Sequence, residues 1–268
     1  MKNIKRILCA ALAGCMLAGS FAGCGKDSTG KSSDDAKTDA KKSDKVWVVA
    51  TDTAFKPFEY KDASGKLVGI DVDILDAIAK DQGFEYKLNS IGWDAAIAAC
   101  QSGQADAMIA GASITDQRKS EGWIFSDGYY TATQCMTVAK DSDIKGFDDL
   151  KGKTVAVKTG TEGKTYAESL KDKYGFKITY LEDSPTMYQA VIGGQAVACF
   201  EDTPIMATSI KDSNLNLKIL KDTENQGSPY GAAIHKKDRQ EFLNLFNAGL
   251  KNIKENGKYD EIISKYLG

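Results

Sequence analysis

Residues 153–182 read KTVAVKTGTEGKTYAESLKDKYGFKITYLE, and this stretch decides the fold class. The sequence predicts a strand over 153–160, a helix over 162–175 and a second strand over 177–182. A strand, a helix and a strand in that order are typical of the crossover unit from which parallel sheets are built. We therefore predict an α/β protein.

The same alternation continues on both sides of this stretch. Upstream, the predicted strands are 46–51, 84–89 and 105–111, and the predicted helices are 71–83 and 93–103. Downstream, the predicted helices are 185–194, 203–211 and 239–257, and the predicted strands are 196–200 and 230–236. Residues 126–140 are predicted to form an extended crossover and not a helix.

Two units of the chain, 46–111 and 153–200, share the order strand, helix, strand, helix, strand. This repetition suggests an approximate internal duplication, and hence two α/β lobes joined by extended crossovers. Open α/β sheets bind their ligands at the carboxyl ends of the strands. We therefore expect a binding cleft between the two lobes.

Composition excludes several classes of function. The 268 residues are 42% hydrophobic and 27% charged, as in ordinary globular proteins, and the net charge of -2 argues against a nucleic-acid partner. His235 is the only histidine and there is no C-x-x-C motif, so we expect no metal, no cofactor and no nucleophile–histidine catalysis. Cys100, Cys135 and Cys199 are scattered and odd in number, which is typical of buried small apolar residues and not of a disulfide framework.

The N-terminus is predicted to be a lipoprotein leader. Positive charges at Lys2, Lys5 and Arg6 precede an uncharged stretch, which is the layout of a secretory signal over residues 1–23. We assign lipidation to Cys24 in FAGC, with Cys15 in LAGC as the alternative, and an uncleaved anchor helix as a second alternative. Residues 24–45 are rich in Ser, Lys and Asp and are predicted to be a flexible tether. The expected location is extracytoplasmic, anchored to the cell membrane by lipid.

Polar and aromatic residues cluster where the predicted strands end. They are Asp52, Thr53, Phe55, Gly111, Ser113, Arg118, Lys158, Thr159, Gly160, Thr161, Glu201 and Asp202. An amino-acid zwitterion would match them, because an arginine fork binds a carboxylate and the N–H groups at the start of the helix near Thr161 add further donors. Asp202, the Ser113 hydroxyl and the Gly111 carbonyl could accept from the ammonium group.

Each of these residues has a plainer alternative. Asp202 could be the N-cap of the helix that contains Pro204. Arg118 could be a solvated loop charge. Phe55 and Trp93 could be ordinary core aromatics.

The segments VVATDTAFKPFEYKDASGKLVGIDVDILDAIAK, AGASITDQRK, FSDGYY, KTVAVKTGT and EDTP resemble the family 3 extracellular solute-binding proteins. These are the amino-acid receptors of ABC importers, and the likeness is closest to the glutamine binders. The resemblance runs from Val46 to the C-terminus. It implies a type II periplasmic-binding-protein fold with two α/β lobes joined by two hinge strands. Lobe 1 would be 46–130 plus 228–268, lobe 2 would be 131–227, and the hinges would lie near 129–133 and 224–230.

The resemblance also implies roles for the candidate residues. Asp52 would contact the ligand's side-chain amide with Lys158 near its other end, and Phe55 and Trp93 would pack on its aliphatic part. The zwitterion contacts would come from Gly111, Ser113 and Asp202 for the ammonium, and from Arg118 and the main chain around Glu162 for the carboxylate.

Several positions depart from the glutamine binders' pattern. Trp93 replaces phenylalanine, Ser113 replaces threonine, Glu162 replaces glycine and Glu201 replaces a histidine. These changes leave the zwitterion contacts intact and make Glu201 a candidate for side-chain specificity.

The predicted function is capture of a polar amino acid, with glutamine first, by closure of the two lobes. The expected partners are the transmembrane subunits of an ABC permease, and the protein is expected to act as a monomer. A cationic amino acid (arginine, lysine or histidine) is the second choice, which requires that Glu201 neutralise Lys158, and glutamate is the third. A dehydratase or a sensory receptor of the same fold is the alternative function.

Overall fold

The computed structural model describes residues Lys45–Gly268. The predicted signal peptide, the predicted lipidation site Cys24 and all but the last residue of the predicted tether lie outside the described residues. Strands β1 to β15 are Val46–Thr51, Ala54–Phe55, Glu59–Lys61, Leu67–Val68, Glu85–Ser90, Ala107–Met108, Ile124–Phe125, Tyr130–Ala132, Gln134–Ala139, Thr154–Lys158, Lys177–Leu181, Ala198–Asp202, Leu217–Ile219, Ser228–Tyr230 and Ala233–Ile234. Helices α1 to α8 are Ile70–Gln82, Trp93–Ser102, Asp116–Ser120, Glu162–Tyr174, Ser184–Ile192, Thr203–Ser213, Gln240–Glu255 and Lys258–Leu267.

The strands form two five-stranded sheets with the same plan. The first has the order β5-β1-β6-β15-β7 and the second has the order β11-β10-β12-β9-β13. In each sheet the first three strands of that order are parallel, and the next neighbour is antiparallel. We call the part around the first sheet lobe 1 and the part around the second sheet lobe 2. The predicted α/β architecture with two sheet-containing lobes is confirmed.

A ribbon of two antiparallel strands connects the lobes. It consists of β8 and β14, which pair Tyr130 with Tyr230 and Ala132 with Ser228. The ribbon contains half of the residues that the sequence predicts as hinges. The lobe boundaries and the hinge function remain predictions.

The core of lobe 1 shows how the helical spacing is used. Ile74, Leu75 and Ile78 of α1 are fully buried, and α1 ends at Gly83, which adopts the left-handed conformation. Helix α7 buries Phe242 and other apolar residues in the same core cluster. Such burial stabilises the fold by roughly 1.5–3 kcal/mol for each large side chain.

The sequence misses several short elements. The three-stranded meander β2-β3-β4, the five-residue helix α3 and the last helix α8 were not predicted. The predicted strand 105–111 shortens to β6, and Ala110 and Gly111 line the cavity. No helix within Lys45–Gly268 is both long enough and apolar enough to cross a bilayer. Cys100, Cys135 and Cys199 are free and buried. Their burial was predicted, whereas the sequence left open whether they are free.

Candidate ligand-binding site between the two lobes

Every residue that the sequence predicts to bind or select the ligand lines one cavity between the lobes. The free volume of this cavity is about 10 Å³, about what one water molecule needs. Its walls are formed by Asp52, Phe55, Trp93, Ala110, Gly111, Ser113, Arg118, Lys158, Thr161, Glu162, Glu201 and Asp202. The fold therefore brings together side chains that are up to 150 positions apart in the sequence. Their contacts with a ligand remain predictions.

Strand direction explains why these residues meet. In lobe 1, Asp52 follows β1 and Gly111 follows β6, which is parallel to β1. In lobe 2, Lys158 is the last residue of β10 and Asp202 is the last residue of the parallel strand β12. The carboxyl ends of parallel strands lie at one edge of a sheet, so each lobe presents one polar edge to the other.

The deepest contact across the cleft is an ion pair between Lys158 and Asp52. The Lys158 Nζ contacts Asp52 Oδ2, and the two side chains are only 3% and 6% exposed. The expectation that these two groups contact opposite ends of a ligand side chain stays a prediction, and in this structure they contact each other directly. An unpaired charge at this depth would be costly, and pairing removes most of that cost. Lys158 also lies 5.3 Å from the Phe55 ring centroid and 5.9 Å from that of Trp93.

Arg118 lies on the short helix α3 and is not a solvated loop charge. Thr115 caps this helix by accepting from the Arg118 N–H at 3.3 Å. The guanidinium of Arg118 donates to the Ser113 carbonyl at 2.8 Å and, across the cleft, to the Gly160 carbonyl at 3.1 Å. It also forms an ion pair with Glu162 of lobe 2 at 3.5 Å, where the side chains are 13% and 17% exposed. Burial lowers the pKa of Arg118, and Glu162 opposes that shift.

Asp202 does not act as a side-chain cap for α6. Its Oδ1 accepts from Gln134 Nε2 at 2.6 Å, and its Oδ2 accepts from the Tyr230 hydroxyl. Burial, followed by the nearby Glu201 carboxylate, raises the pKa of Asp202 to about 7. A carboxylate fixed by two donors inside a cavity is a well-placed acceptor for an ammonium group.

Gln134 and Tyr230 are site residues that the sequence analysis missed. Gln134 lies on β9, directly opposite Asp202 in the antiparallel pairing of β9 with β12. Tyr230 ends β14 in the ribbon between the lobes. The sequence does predict that residues 126–140, which include Gln134, are an extended crossover. It does not predict that this crossover pairs with β12, which is what brings Gln134 to Asp202.

Glu201 makes its hydrogen bonds within lobe 2. It accepts from the Ser184 hydroxyl at 2.6 Å, from the Tyr188 hydroxyl at 3.1 Å and from the Asp202 N–H at 3.0 Å. Burial raises its pKa, while the Ser184 hydrogen bond and Lys158 oppose the shift. Lys158 is in direct contact with Asp52, and Glu201 also interacts with it electrostatically.

The remaining lining residues shape the cavity. Gly111 has a φ of 55°, and a Cβ there would lie 2.5 Å from a carbon of the Phe55 ring, so only glycine fits. Phe55 and Trp93 are buried core aromatics and also line the cavity. Core packing and a place in the cavity wall are therefore compatible for both residues. The Arg118 guanidinium lies 5.3 Å from the Trp93 ring centroid. Thr161 caps α4, where it accepts from the Lys164 N–H at 3.3 Å.

Two further contacts close the cleft at its rim. The Thr159 hydroxyl of lobe 2 donates to Asp94 of lobe 1 at 2.9 Å. On another part of the rim, Lys56 forms a 2.7 Å ion pair with Asp212. The structure is therefore that of two lobes in contact around a narrow polar cavity.

A two-lobed α/β fold with a polar cavity at the facing strand ends defines a solute-binding protein. Residues 47–268 match the family of bacterial extracellular solute-binding proteins, family 3, and the chain belongs to that family.

Relatives of this chain are named for different ligands. The "Probable histidine-binding protein" of Neisseria gonorrhoeae is 32% identical over 269 residues, covering 99% of this chain and 96% of the relative. The "ABC transporter glutamine-binding protein GlnH" of Bacillus subtilis is 34% identical over 276 residues, covering 98% of both chains. The arginine-, lysine-, histidine-binding protein ArtJ of Geobacillus stearothermophilus has a solved structure that superposes with a TM-score of 0.77 at 38% identity, covering 84% of this chain and 96% of that one.

Proposed function

We propose that this chain is the receptor of an ABC importer and captures a free L-amino acid with a polar side chain, glutamine first. The observation that carries the proposal is the combination, in one cavity, of the Arg118 fork, the Asp202 carboxylate and the Asp52–Lys158 ion pair. The first two suit the carboxylate and ammonium groups that all amino acids share. The third suits the side chain.

The backbone of the ligand would be held from both lobes. Arg118 carries five N–H donors in a planar fork, and a ligand carboxylate can accept from those not used by Ser113 and Gly160. Asp202 would accept from the ammonium group, together with the Gly111 carbonyl. Because Arg118 belongs to lobe 1 and Asp202 to lobe 2, a bound zwitterion would bridge the lobes and favour closure.

The ion pair selects a neutral amide. An amide donates through its NH₂ group and accepts through its carbonyl, so it can satisfy Asp52 and Lys158 together. A glutamate carboxylate would face Asp52, and a like-charge contact in a desolvated cavity is costly. A cationic ligand side chain would face the like charge of Lys158, and that contact would be costly for the same reason.

A cationic amino acid is the second candidate, and the charge balance of the cavity favours it. Four acidic residues (Asp52, Glu162, Glu201 and Asp202) line the cavity, against the two basic residues Arg118 and Lys158, which gives 2 − 4 = -2 when all are ionised. Burial raises the pKa of both Glu201 and Asp202 and so reduces this excess. The relatives named for arginine and histidine support this candidate, whereas GlnH supports glutamine.

We further propose that Cys24 carries the lipid anchor and that residues 24–45 tether the receptor, as a monomer, beside the permease. Closed lobes present one continuous surface to the transmembrane subunits. Ligand release then requires only that the permease reopen the lobes.

A thermal-shift screen of the purified full-length chain against the twenty amino acids tests the proposal. A ligand at a hundred times its dissociation constant adds about 2.7 kcal/mol to the free energy of unfolding, which a melting temperature reports clearly. The largest shift is expected with glutamine. A largest shift with arginine, lysine or histidine would select the second candidate. No shift with any of them, from protein shown by mass spectrometry to carry no ligand, would refute amino-acid binding.

A further inference from the structure

Two carboxyl groups lie buried together beneath the ligand cavity. Glu59 on β3 and Asp71 in the first turn of α1 are both 0% exposed. The Asp71 N–H donates to the Phe58 carbonyl at 3.0 Å, which fixes the start of α1 against β3. Gly69 permits this approach, because a Cβ at that position would lie 2.0 Å from the Phe58 carbonyl oxygen. Neither acid lines the cavity, so the proposed binding contacts do not account for them.

Asp71 holds a residue of the cavity and a residue beside the inter-lobe ribbon at the same time. Its Oδ2 accepts from the Gly111 N–H at 2.8 Å and from the Tyr129 hydroxyl at 2.8 Å. The Tyr129 N–H donates to the Tyr230 carbonyl at 2.9 Å, and the Tyr230 hydroxyl donates to Asp202. One carboxylate is therefore linked, through hydrogen bonds, to both ammonium acceptors of the proposed site.

Three oxygens of the pair accept no hydrogen bond from the described protein, and a proton shared between the two carboxyl groups would satisfy two of them. Within Lys45–Gly268, no N–H or hydroxyl donor reaches Asp71 Oδ1 or either oxygen of Glu59. The two carboxyl groups lie close enough to interact, because the Asp71 charge adds to the rise in the pKa of Glu59. A hydrogen bond between two carboxyl groups requires that one of them carry a proton.

The environment places that proton on Glu59 and the charge on Asp71. Asp71 accepts from two donors and lies at the positive end of α1, and both features favour its ionised form. Glu59 has no such donors. Burial raises the pKa of Glu59 well above its usual range, with Asp71 and Asp52 adding to the shift and Lys158 opposing it. Burial raises the pKa of Asp71 to about 7, and its bonds to Gly111 and Tyr129 oppose the shift.

We propose that Glu59 and Asp71 share one proton and act together as positioning residues, which hold the Gly111 peptide in the cavity wall and Tyr129 beside the ribbon. The ligand-binding part of this inference rests on the proposed function. The protonation part does not, because it concerns the folded protein without ligand. The groups that face the pair are Asp52 at the end of β1, Lys158 from lobe 2 and Tyr129.

The pH dependence of unfolding, measured without ligand, tests the shared proton. An acid whose pKa is raised in the folded state stabilises that state at low pH, and this stability is lost as pH rises from the usual glutamate pKa toward the folded-state value. Across that window one retained proton changes the unfolding constant by up to tenfold per pH unit. Glu59→Gln should lower the slope by the contribution of this one proton, because the amide donates to Asp71 at every pH, while the raised pKa values of Asp71, Glu201 and Asp202 keep their own contributions. The matched control is Glu241→Gln, at an exposed position on α7, which should keep the wild-type slope.

Equal slopes for wild type and Glu59→Gln would overturn the shared proton. If Glu59→Gln does not fold, ¹³C labelling of glutamate carboxyl groups in the wild-type protein gives the answer, with Glu201→Gln used to assign the second buried signal. The Glu59 carbon should keep the chemical shift of a protonated acid at neutral pH. A signal that titrates at the usual glutamate pKa would contradict the proposal.

Calorimetric titration with glutamine and with arginine tests the positioning role. Glu59→Gln should bind within about threefold of wild type, whereas Glu59→Ala and Asp71→Asn should bind at least tenfold more weakly. The asparagine side chain has only one acceptor atom, and its NH₂ group must oppose either the Glu59 proton or the Gly111 N–H. Unchanged affinity in Asp71→Asn would overturn the positioning role. If wild type binds neither amino acid, the proposed function fails, but the slope measured without ligand still decides the shared proton.

Discussion

The two lobes can be compared strand by strand, because their sheets have corresponding strands in the same order. Asp52 follows β1, and Lys158 ends β10, the corresponding strand of lobe 2. Gly111 follows β6 and Asp202 ends β12, which also correspond. The ends of β1 and β10 thus carry an acid in lobe 1 and a base in lobe 2. The ends of β6 and β12 carry a backbone carbonyl in lobe 1 and a carboxylate in lobe 2. The shared strand order places corresponding strand ends opposite each other. The different residues at those ends make the two lobes complementary in charge and hydrogen bonding.

Among the cavity residues, each lobe contributes one acid and one base to ion pairs across the cleft, and the two pairs differ in strength. The Lys158–Asp52 pair is in direct contact and nearly unexposed, whereas the Arg118–Glu162 pair spans 3.5 Å and is partly hydrated. A buried pair is costly to break because one charge is left uncompensated, while a partly exposed pair contributes about 1 kcal/mol or less. We call Lys158–Asp52 the inner pair and Arg118–Glu162 the outer pair. We infer that the inner pair stays fixed in the cavity wall, and that a ligand carboxylate readily replaces Glu162 in the outer pair.

The largest expected effect comes from removing the arginine. Arg118→Ala should weaken glutamine binding by about 3 kcal/mol, which is more than a hundredfold, because it leaves a desolvated carboxylate without its partner. Isothermal titration calorimetry measures the loss. Arg239→Ala is the matched control, because Arg239 pairs with Asp106 and Asp238 away from the cavity and should leave the affinity unchanged. Wild-type affinity in Arg118→Ala would refute the carboxylate contact.

The inner pair should control side-chain specificity. Lys158→Met leaves Asp52 unpaired in the cavity, so we expect the preference for arginine over glutamine to rise by about 2 kcal/mol, or roughly thirtyfold. Paired titrations with both amino acids measure this ratio, and Lys164→Met, at a partly exposed position on α4, serves as control. A ratio that does not move would show that the ligand side chain does not reach the pair.

The affinity should fall in acid because of Asp202. Burial and Glu201 raise the pKa of this carboxyl to about 7, so below that pH it is protonated and must release its proton to accept an ammonium group. We expect the affinity to drop by up to tenfold per pH unit below about pH 7, equivalent to about 1.4 kcal/mol. Glu201→Gln removes one cause of the raised pKa and should move the midpoint of the drop to lower pH. A flat profile between about pH 5 and 7 would argue against the Asp202 contact.

The smallest effect is expected at the outer pair. Glu162→Gln frees Arg118 from a competing carboxylate and should tighten glutamine binding by about 0.5–1 kcal/mol, a few-fold at most. Glu168→Gln on the same helix is the control, since Glu168 pairs with Lys164 and not with a cavity residue. Weaker binding in Glu162→Gln would mean that Glu162 contacts the ligand favourably.

The sequence predicts those features of the fold and of the site that depend on local pattern. Strand, helix and strand units follow from apolar spacing, and the carboxyl ends of parallel strands indicate which polar residues meet. This is why the amino-acid sequence alone predicts that Asp52, Gly111, Lys158 and Asp202 share one cleft. Helix α8 was missed because Gly257 has the appearance of the end of the chain's last helix, although Tyr259, Ile262, Ile263 and Tyr266 have helical spacing.

What the sequence could not provide depends on packing between distant segments. Gln134 reaches Asp202 only through the antiparallel register of β9 and β12. The contact of Lys158 with Asp52 depends on the lobes facing each other across the cleft, and no local pattern encodes that distance. Glu59 and Asp71 are 12 positions apart, and each has the appearance of an ordinary surface acid until the start of α1 is placed against β3.

The central claim is that the cavity binds a free zwitterion. It is tested most directly by calorimetric titration of the wild-type chain with glutamine, with the α-amide of glutamine and with N-acetylglutamine, and with the corresponding arginine compounds. The α-amide removes the carboxylate that Arg118 would bind, and the acetyl group removes the ammonium that Asp202 would accept. We predict that only the unmodified amino acid binds, with each blocked form weaker by more than a hundredfold. Binding of either blocked form as tightly as the free amino acid would contradict the account.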